Sequence, residues 1–365
     1  MSRSYPILNV DLAALASNYR LLQQRAAGAR VGAVVKANAY GLGVEAVAGC
    51  LYERGCRDFF VSSTEEGVAL RPLVPAARIF VLQGVEPGDE GSCQAFTLTP
   101  VLISSTMAQR YLSLKPTTEF ALKVNTGMNR LGLEPAELLS LLPRLPPTNC
   151  QLLMSHLACA DEPGHALNVE QLRQFHALAE VARAALPQLQ LSLANSAGIF
   201  LGGAYHFDVV RPGAALYGIN PGNLASDVLS PVAQLLVQVI QTRTLSAGDC
   251  VGYGATFVAE RETPVVMVSG GYADGLMRAL SQKGCAWFKG KQLPLIGRVS
   301  MDSLVFDVSL LPQALRPVEG DRLEVFGPNV CIDAQAQTAG TIGYEIFTRL
   351  GDRCQRLYLS ATERV

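Results

Sequence analysis

Residues 31–36 read VGAVVK, a short β-branched run with no helical period, closed by a lysine and followed by Ala-Asn-Ala-Tyr-Gly-Leu-Gly. The same texture returns at 58–62 (DFFVS), 78–82 (RIFVL), 96–102 (FTLTPVL), 119–124 (EFALKV), 151–156 (QLLMSH), 190–194 (QLSLA) and 207–210 (FDVV). Helix-compatible stretches lie between them, among them 63–71, 136–142 and 169–185. In the last, Leu172, Phe175, Leu178, Ala179 and Ala182 recur at helical spacing and mark a buried face. Strand candidates alternating with helices over about 200 residues predict a (β/α)8 TIM-type barrel, an α/β fold, with an open doubly wound sheet as the alternative.

After about residue 229 the pattern changes. Runs at 232–240, 265–268, 293–296, 304–308 and 322–326 are separated by turn signals such as Ala-Gly-Asp at 247–249 and Glu-Gly-Asp at 319–321, with one clear helical segment at 343–349. This predicts a mostly antiparallel C-terminal β domain. The expected division is an N-terminal strand over 1–10 that joins the C-terminal domain, a barrel over 11–228 and a β domain over 229–365.

Composition narrows the function. Apolar residues make up 49% of the chain and charged ones 17%, with 30 Lys and Arg against 31 Asp and Glu, a net charge of -1. That balance argues against a nucleic-acid or anionic-lipid partner, and the apolar content supports a large core. No run approaches the roughly 18 apolar residues of a membrane span, and the N-terminus lacks the apolar stretch of a signal peptide. Nine cysteines without a Cys-x-x-Cys pair, and four histidines without His-Glu-x-x-His, give no metal site or disulfide framework. The expectation is a cytoplasmic protein with reduced thiols.

A barrel carries its chemistry at the C-terminal ends of its strands. Here those ends present Lys36, then Lys123 with Arg130 in the following loop, then His156, Asn195-Ser196 and Arg211-Pro-Gly213. A lysine closing an apolar strand is desolvated, which makes its amine a nucleophile or base, although a rim lysine can also simply snorkel. Ser196 and Gly213 follow the seventh and eighth strands, where barrels build phosphate sites. A lysine at one end and a phosphate cradle at two others fit pyridoxal phosphate (PLP) held as a Schiff base. Asn195-Ser196 could equally be an ordinary helix cap, and Arg211 could hold the pyridine nitrogen or pair with a rim carboxylate. Gly41-Leu-Gly43-Val-Glu-Ala46 matches a dinucleotide pattern, but four residues separate it from the strand, whereas a Rossmann turn follows its strand directly. In the second domain Tyr253 stands between two glycines with its phenol free to project, as a surface aromatic on a hairpin also would.

Taken together, 35–41 (VKANAYG), 128–132 (MNRLG), Ser155-His156, 195–198 (NSAG), 211–218 (RPGAALYG), 252–256 (GYGAT), 297–302 (GRVSMD) and 342–345 (IGYE) resemble the alanine racemase family, in order and over essentially the whole chain. The resemblance implies a PLP-binding barrel plus a C-terminal β domain, working as a head-to-tail homodimer with shared active sites on a small amino-acid substrate. Lys36 would hold PLP. Tyr40, Ser196, Gly213 and Tyr344 would bind its phosphate and Arg211 its pyridine nitrogen, with His156 and Asn195 also at the cofactor. Arg130 would orient the cofactor phenolate and the substrate carboxylate, which the Met301 amide would also reach. Tyr253 would come from the partner subunit, and Asp161, Tyr272, Arg278, Arg298 and Ile342 would line the entrance. Lys123 matches a position often carbamylated in the family, in support of Arg130.

Racemisation removes a proton from one face of Cα and returns it to the other, so two bases must flank the substrate; Lys36 and Tyr253 suit that task. A tyrosine pKa of about 10 leaves little phenolate at neutral pH, so a cationic network is needed, and His156 linked to Arg211 is the candidate. The expected activity is interconversion of L- and D-alanine, supplying D-alanine for the cell wall. Leu276-Met277-Arg278 replaces the family's commoner aromatic-Pro-Arg, and Ala214 a bulkier aliphatic, so a serine or broader-specificity racemase is the alternative. A non-catalytic PLP-binding protein is the alternative from another class. A related PLP decarboxylase would need Gly-Glu-Pro-Gly-Arg and Cys-Asp-Gly, which are absent.

Overall fold

Strands in a parallel sheet wrapped by helices are buried on both faces, which is why those of this chain read as continuous apolar runs. In the computed structural model, which describes residues 5–360 apart from Ala27, Pro147, Asn223, Ser226 and Asp227, seven of them pair in chain order, all parallel: Ala33–Val34, Asp58–Val61, Arg78–Val81, Thr99–Leu102, Phe120–Lys123, Cys150–Met154 and Gln190–Ser192. The ring closes through an eighth. Val209–Val210 pairs with Arg30–Val31, and the Gly32 and Val34 amides donate to Val210 O and Pro212 O at 3.0 and 2.9 Å. On its other side the Asp208 and Arg211 amides donate to Leu191 O and Ala194 O at 3.1 and 2.9 Å. The open-sheet alternative is thereby excluded.

The first strand is shorter than its sequence suggests. It is interrupted at Gly32 and ends at Val34. A side chain at Gly32 would meet the Phe60 ring at 2.6 Å, so glycine is required where this strand crosses the packed aromatics Phe59, Phe60 and Phe80. Phe60 and Phe80 stack at 4.8 Å. Helix Ala166–Ala185 buries Phe175, Leu178, Ala179 and Ala182 as its period predicts, but Gln171 and Asn168 share that face and Leu172 is only half-buried.

The chain divides into two compact units: Leu15–Ala39 with Gly43–Ser230, and Met1–Ala14 with Tyr40–Leu42 and Pro231–Val365. Residues 1–4 and 361–365 of the expected terminal segments lie outside the described residues. In the second unit, the 13-residue strand Ala233–Leu245 pairs antiparallel with both Arg322–Phe326 and Thr263–Ser269. Ser303–Asp307, Lys291–Ile296 and Cys285–Phe288 complete the ring. Irregularities between Leu235 and Leu236, and between Val239 and Gln241, let the long strand bend around it. Ile7–Asp11 adds antiparallel to the same strand, and Gln355–Leu359 adds parallel to Ile7–Asp11. The single helix expected here is joined by another, Ile332–Ala339, whose buried stripe of Ile332, Gln335 and Ala336 is too polar to show as a period. All nine cysteines carry free thiols.

Candidate active site

Lys36 follows Ala33–Val34 and opens a backbone turn of unusual hand. Ala37, Asn38, Ala39 and Tyr40 have φ of 53°, 52°, 53° and 57°. Left-handed backbone costs an L-residue roughly 1–2 kcal/mol, so tertiary bonds must hold it. The Ala37 amide donates to Glu66 Oε1 at 2.7 Å, the Val44 amide to Asn38 Oδ1 at 2.7 Å, and the Gly43 amide to Asn38 O at 3.0 Å. This turn, rather than a strand, precedes Gly41-Leu-Gly43, so the glycines do not form a dinucleotide fingerprint. The half-buried Lys36 ammonium is held below the usual lysine range by burial and then by Arg130, with Glu66 acting the other way.

Lys123 ends its strand buried, and burial together with Arg211, Arg130 and Lys36 lowers its pKa to about 8. Arg211 is buried and pairs with no carboxylate among the described residues. Its Nη2 donates to Ser155 O at 2.6 Å and to His156 Nδ1 at 3.4 Å, and its Nη1 donates to Ser192 Oγ; burial lowers its pKa to about 10. The His156 imidazole is pushed well below its ordinary range by burial, then by Arg211, Lys123, Arg130 and Lys36. The expected Arg211–His156 link therefore exists, but its charge resides on the arginine. Arg130 itself is exposed. Five residues from four strand ends thus act on one another electrostatically. Like charges gathered this way are stabilised by an anionic ligand.

Asn195 and Ser196 do cap a helix, Ser196–Phe200, through the Gly198 amide, which donates to Asn195 Oδ1 at 2.9 Å. Ser196 Oγ in turn accepts from the Gly213 and Ala215 amides at 2.9 and 3.2 Å, which leaves its own hydrogen to donate. Asp161 is exposed in the loop after Cys150–Met154. Sequence reasoning missed Gln171, whose Oε1 accepts from the Ala158 amide at 2.9 Å while Nε2 donates to His156 O and Thr126 Oγ1 at 2.9 and 3.2 Å. The signal was a polar residue where the helical period calls for an apolar one.

The other candidates belong to the second unit. Tyr40 is buried with its ring 5.8 Å from that of Tyr344, and burial raises its phenol pKa, keeping it a donor. Tyr253 is 72% exposed between Gly252 (φ 68°) and Gly254 (φ 73°). It lines a cleft of about 560 Å3 with Val251, Arg298, Ser300 and Met301, and a side chain at 254 would meet Arg298 Nη1 at 3.1 Å. Tyr272 is exposed beside this cleft, its amide donating to Ser300 O at 3.0 Å. Arg278 is exposed at the start of a short turn, Arg278–Leu280, and Ile342 is exposed at the head of Gly343–Thr348.

Residues 10–221 match the family model described as alanine racemase, N-terminal domain, and residues 232–358 the corresponding C-terminal domain. The chain is 45% identical over 360 residues to the catabolic alanine racemase of Agrobacterium fabrum, covering 96% of this chain and 92% of that one. It is 44% identical over 369 residues to an alanine racemase of Rhizobium meliloti, covering 96% of each. Among solved structures, an alanine racemase from Bartonella henselae with covalently bound pyridoxal phosphate superposes with a TM-score of 0.91 at 37% identity, covering 97% of this chain and 99% of that one. A biosynthetic alanine racemase from Pseudomonas aeruginosa gives 0.91 at 36%, with the same coverage.

Proposed function

The chain belongs to the alanine racemase family, and on that premise we propose that it interconverts L- and D-alanine with PLP as cofactor. The observation that carries the reading is the cluster of Lys36, Lys123, Arg130, His156 and Arg211 at the barrel mouth. The donor set fits PLP: an amine of lowered basicity for its carbonyl, a buried guanidinium for its ring nitrogen, and hydroxyl donors for its phosphate. Bound PLP supplies the electron sink that acidifies the substrate Cα–H.

The residues then divide the work. Lys36 Nζ would hold the cofactor and would carry a proton on one face of the substrate Cα. Tyr253, contributed by the partner subunit of a homodimer, carries it on the other. Arg211 would hold the ring nitrogen and, being cationic, would oppose its protonation, which would weaken the electron sink and disfavour competing reactions. Ser196, its oxygen fixed by the Gly213 and Ala215 amides, donates to the phosphate with Tyr40 and Tyr344, and Asn195 holds the adjoining helix cap. Arg130 and the Met301 amide take the substrate carboxylate, while Asp161, Tyr272, Arg278, Arg298 and Ile342 select what enters.

Borohydride treatment of the purified protein should fix a pyridoxyl group on Lys36, and a chiral assay over L-alanine, L-serine and L-lysine should show turnover with alanine foremost. No adduct, or no D-product from any of them, would overturn the reading. Supply of D-alanine to the cell wall is one use of this activity and breakdown of D-alanine the other; the catabolic names of relatives at 45% identity favour the second. A deletion strain that grows without added D-alanine would support breakdown.

A further inference from the structure

Glu66 has no part in the chemistry proposed above, although its carboxylate takes the Ala37 amide at the turn after Lys36. It is the third residue of helix Thr64–Leu70, and its amide donates to the N-cap Ser63 Oγ at 3.4 Å. In a capping box a glutamate at this position turns back to the amide of the N-cap residue itself. Glu66 does otherwise: Oε2 accepts from the Ser62 amide at 2.6 Å and Oε1 from the Ala37 amide at 2.7 Å. The two amides lie just past the ends of neighbouring strands, Asp58–Val61 and Ala33–Val34, with Lys36 immediately before one of them. Ala37 is also where the left-handed run begins. A carboxylate accepting from an amide makes a charge-assisted bond, stronger than one between neutral groups, and here it is spent on backbone that relaxes if released.

We propose that Glu66 is a positioning residue for Lys36: by clipping the Ala37 and Ser62 amides together it locks the left-handed turn, and with it the direction in which the Lys36 side chain leaves its strand. The proposal rests on the reading of Lys36 as the cofactor-bearing base. Its carboxylate also lies close enough to raise the Lys36 pKa, against the larger lowering by burial and Arg130.

Two variants test it. Glu66→Gln keeps the shape but turns an NH2 toward one of the two backbone donors, and Glu66→Asp keeps the charge but is too short to span both. Hydrogen–deuterium exchange on the cofactor-free chain should show faster exchange in the peptide covering 36–44 for both variants, with the remaining barrel strands unchanged. In the loaded enzyme kcat should fall about ten- to a hundredfold, with KM and the amount of PLP bound at saturation little altered. Unchanged exchange at 36–44, exchange raised evenly across the barrel, or an unchanged kcat would each overturn the proposal. Should Glu66→Gln not fold, the same readings on Glu66→Asp decide it. Borohydride trapping on the unaltered protein separates the two ideas: if Lys36 carries no adduct the cofactor reading fails, and the exchange result alone judges the clip.

Discussion

Arg211 Nη2 donates to His156 Nδ1 at 3.4 Å, and that contact decides where the imidazole carries its proton. A guanidinium has no acceptor, so Nδ1 must present its lone pair and the proton sits on Nε2. We expect 15N resonances of His156 to report the Nε2–H tautomer without titration between about pH 8 and 6. The linkage has a definite sign. An unfolded histidine takes up a proton below about pH 6.5, the native one resists, and stability therefore falls with pH below that point, by up to about 1.4 kcal/mol per pH unit. His156→Gln should remove this part of the slope in denaturant titrations. An unaltered slope would mean that the native imidazole titrates normally.

Lys123 tests the like-charge cluster. With its pKa lowered to about 8, roughly a tenth of the amine is free at pH 7, and we propose that this fraction adds carbon dioxide and releases a proton to give an anionic carbamate. Uncarbamylated, the charged amine costs stability below pH 8, and the native state regains it as pH rises toward about 10.5, because only the unfolded chain stays protonated there. Lys123→Met should then stabilise the cofactor-free protein at pH 7 by roughly 3 kcal/mol in carbon-dioxide-free buffer. Bicarbonate should close the gap, and the variant should lose activity through Arg130. A stability difference indifferent to bicarbonate would refute the carbamate.

What was legible before the structure follows from burial on both faces. Each barrel strand is apolar throughout, so runs such as DFFV and RIFV announce themselves, and the C-terminal strand ends came with them. Hence Lys36, Lys123, His156 and Arg211 could be gathered at one mouth from the sequence. Glu66 and Gln171 could not. Gln171 shows only as a polar residue on an apolar helix face, and the partners that give each its place, the His156 carbonyl for Gln171 and the Ala37 amide for Glu66, come within reach only through the fold. The left-handed turn after Lys36 was equally hidden, since none of Ala37, Asn38, Ala39 and Tyr40 is glycine. Helix Ile332–Ala339 escaped because Gln335 fills its buried stripe, donating to Cys285 O and Val325 O at 2.7 and 2.8 Å.

Tyr253→Phe separates the two proposed bases. The ring should keep its place on the exposed turn, so PLP content should be unchanged while conversion of L-alanine is lost. Lys36 would still exchange the Cα hydrogen of D-alanine with solvent. In D2O the variant should therefore label D-alanine with retention and form almost no L-alanine, read by chiral chromatography with mass detection. Normal L-to-D turnover would refute the role of Tyr253.

Asp274 anchors the turn that carries Tyr272. Its side chain is 1% exposed; Oδ2 accepts from the Gly271 amide at 2.9 Å and from Arg353 Nη2 at 2.8 Å, and Oδ1 accepts from Arg353 Nε at 2.8 Å. Arg353 also donates to Asp302 at 2.8 Å, tying this turn to the one that presents Met301. Removing one partner of a buried pair costs about 3–5 kcal/mol when the other is left dry. Arg353 is 39% exposed and can turn to water, so Asp274→Asn should cost less, about 2–3 kcal/mol, read as a lower denaturant midpoint. The Tyr272 and Ala273 amides donate to Ser300 O and Met301 O at 3.0 and 3.2 Å, so a loosened turn disturbs the backbone proposed to meet the substrate carboxylate. KM for alanine should accordingly rise severalfold with a smaller change in kcat. A fall in kcat alone would place the effect on the chemistry and not on this rim.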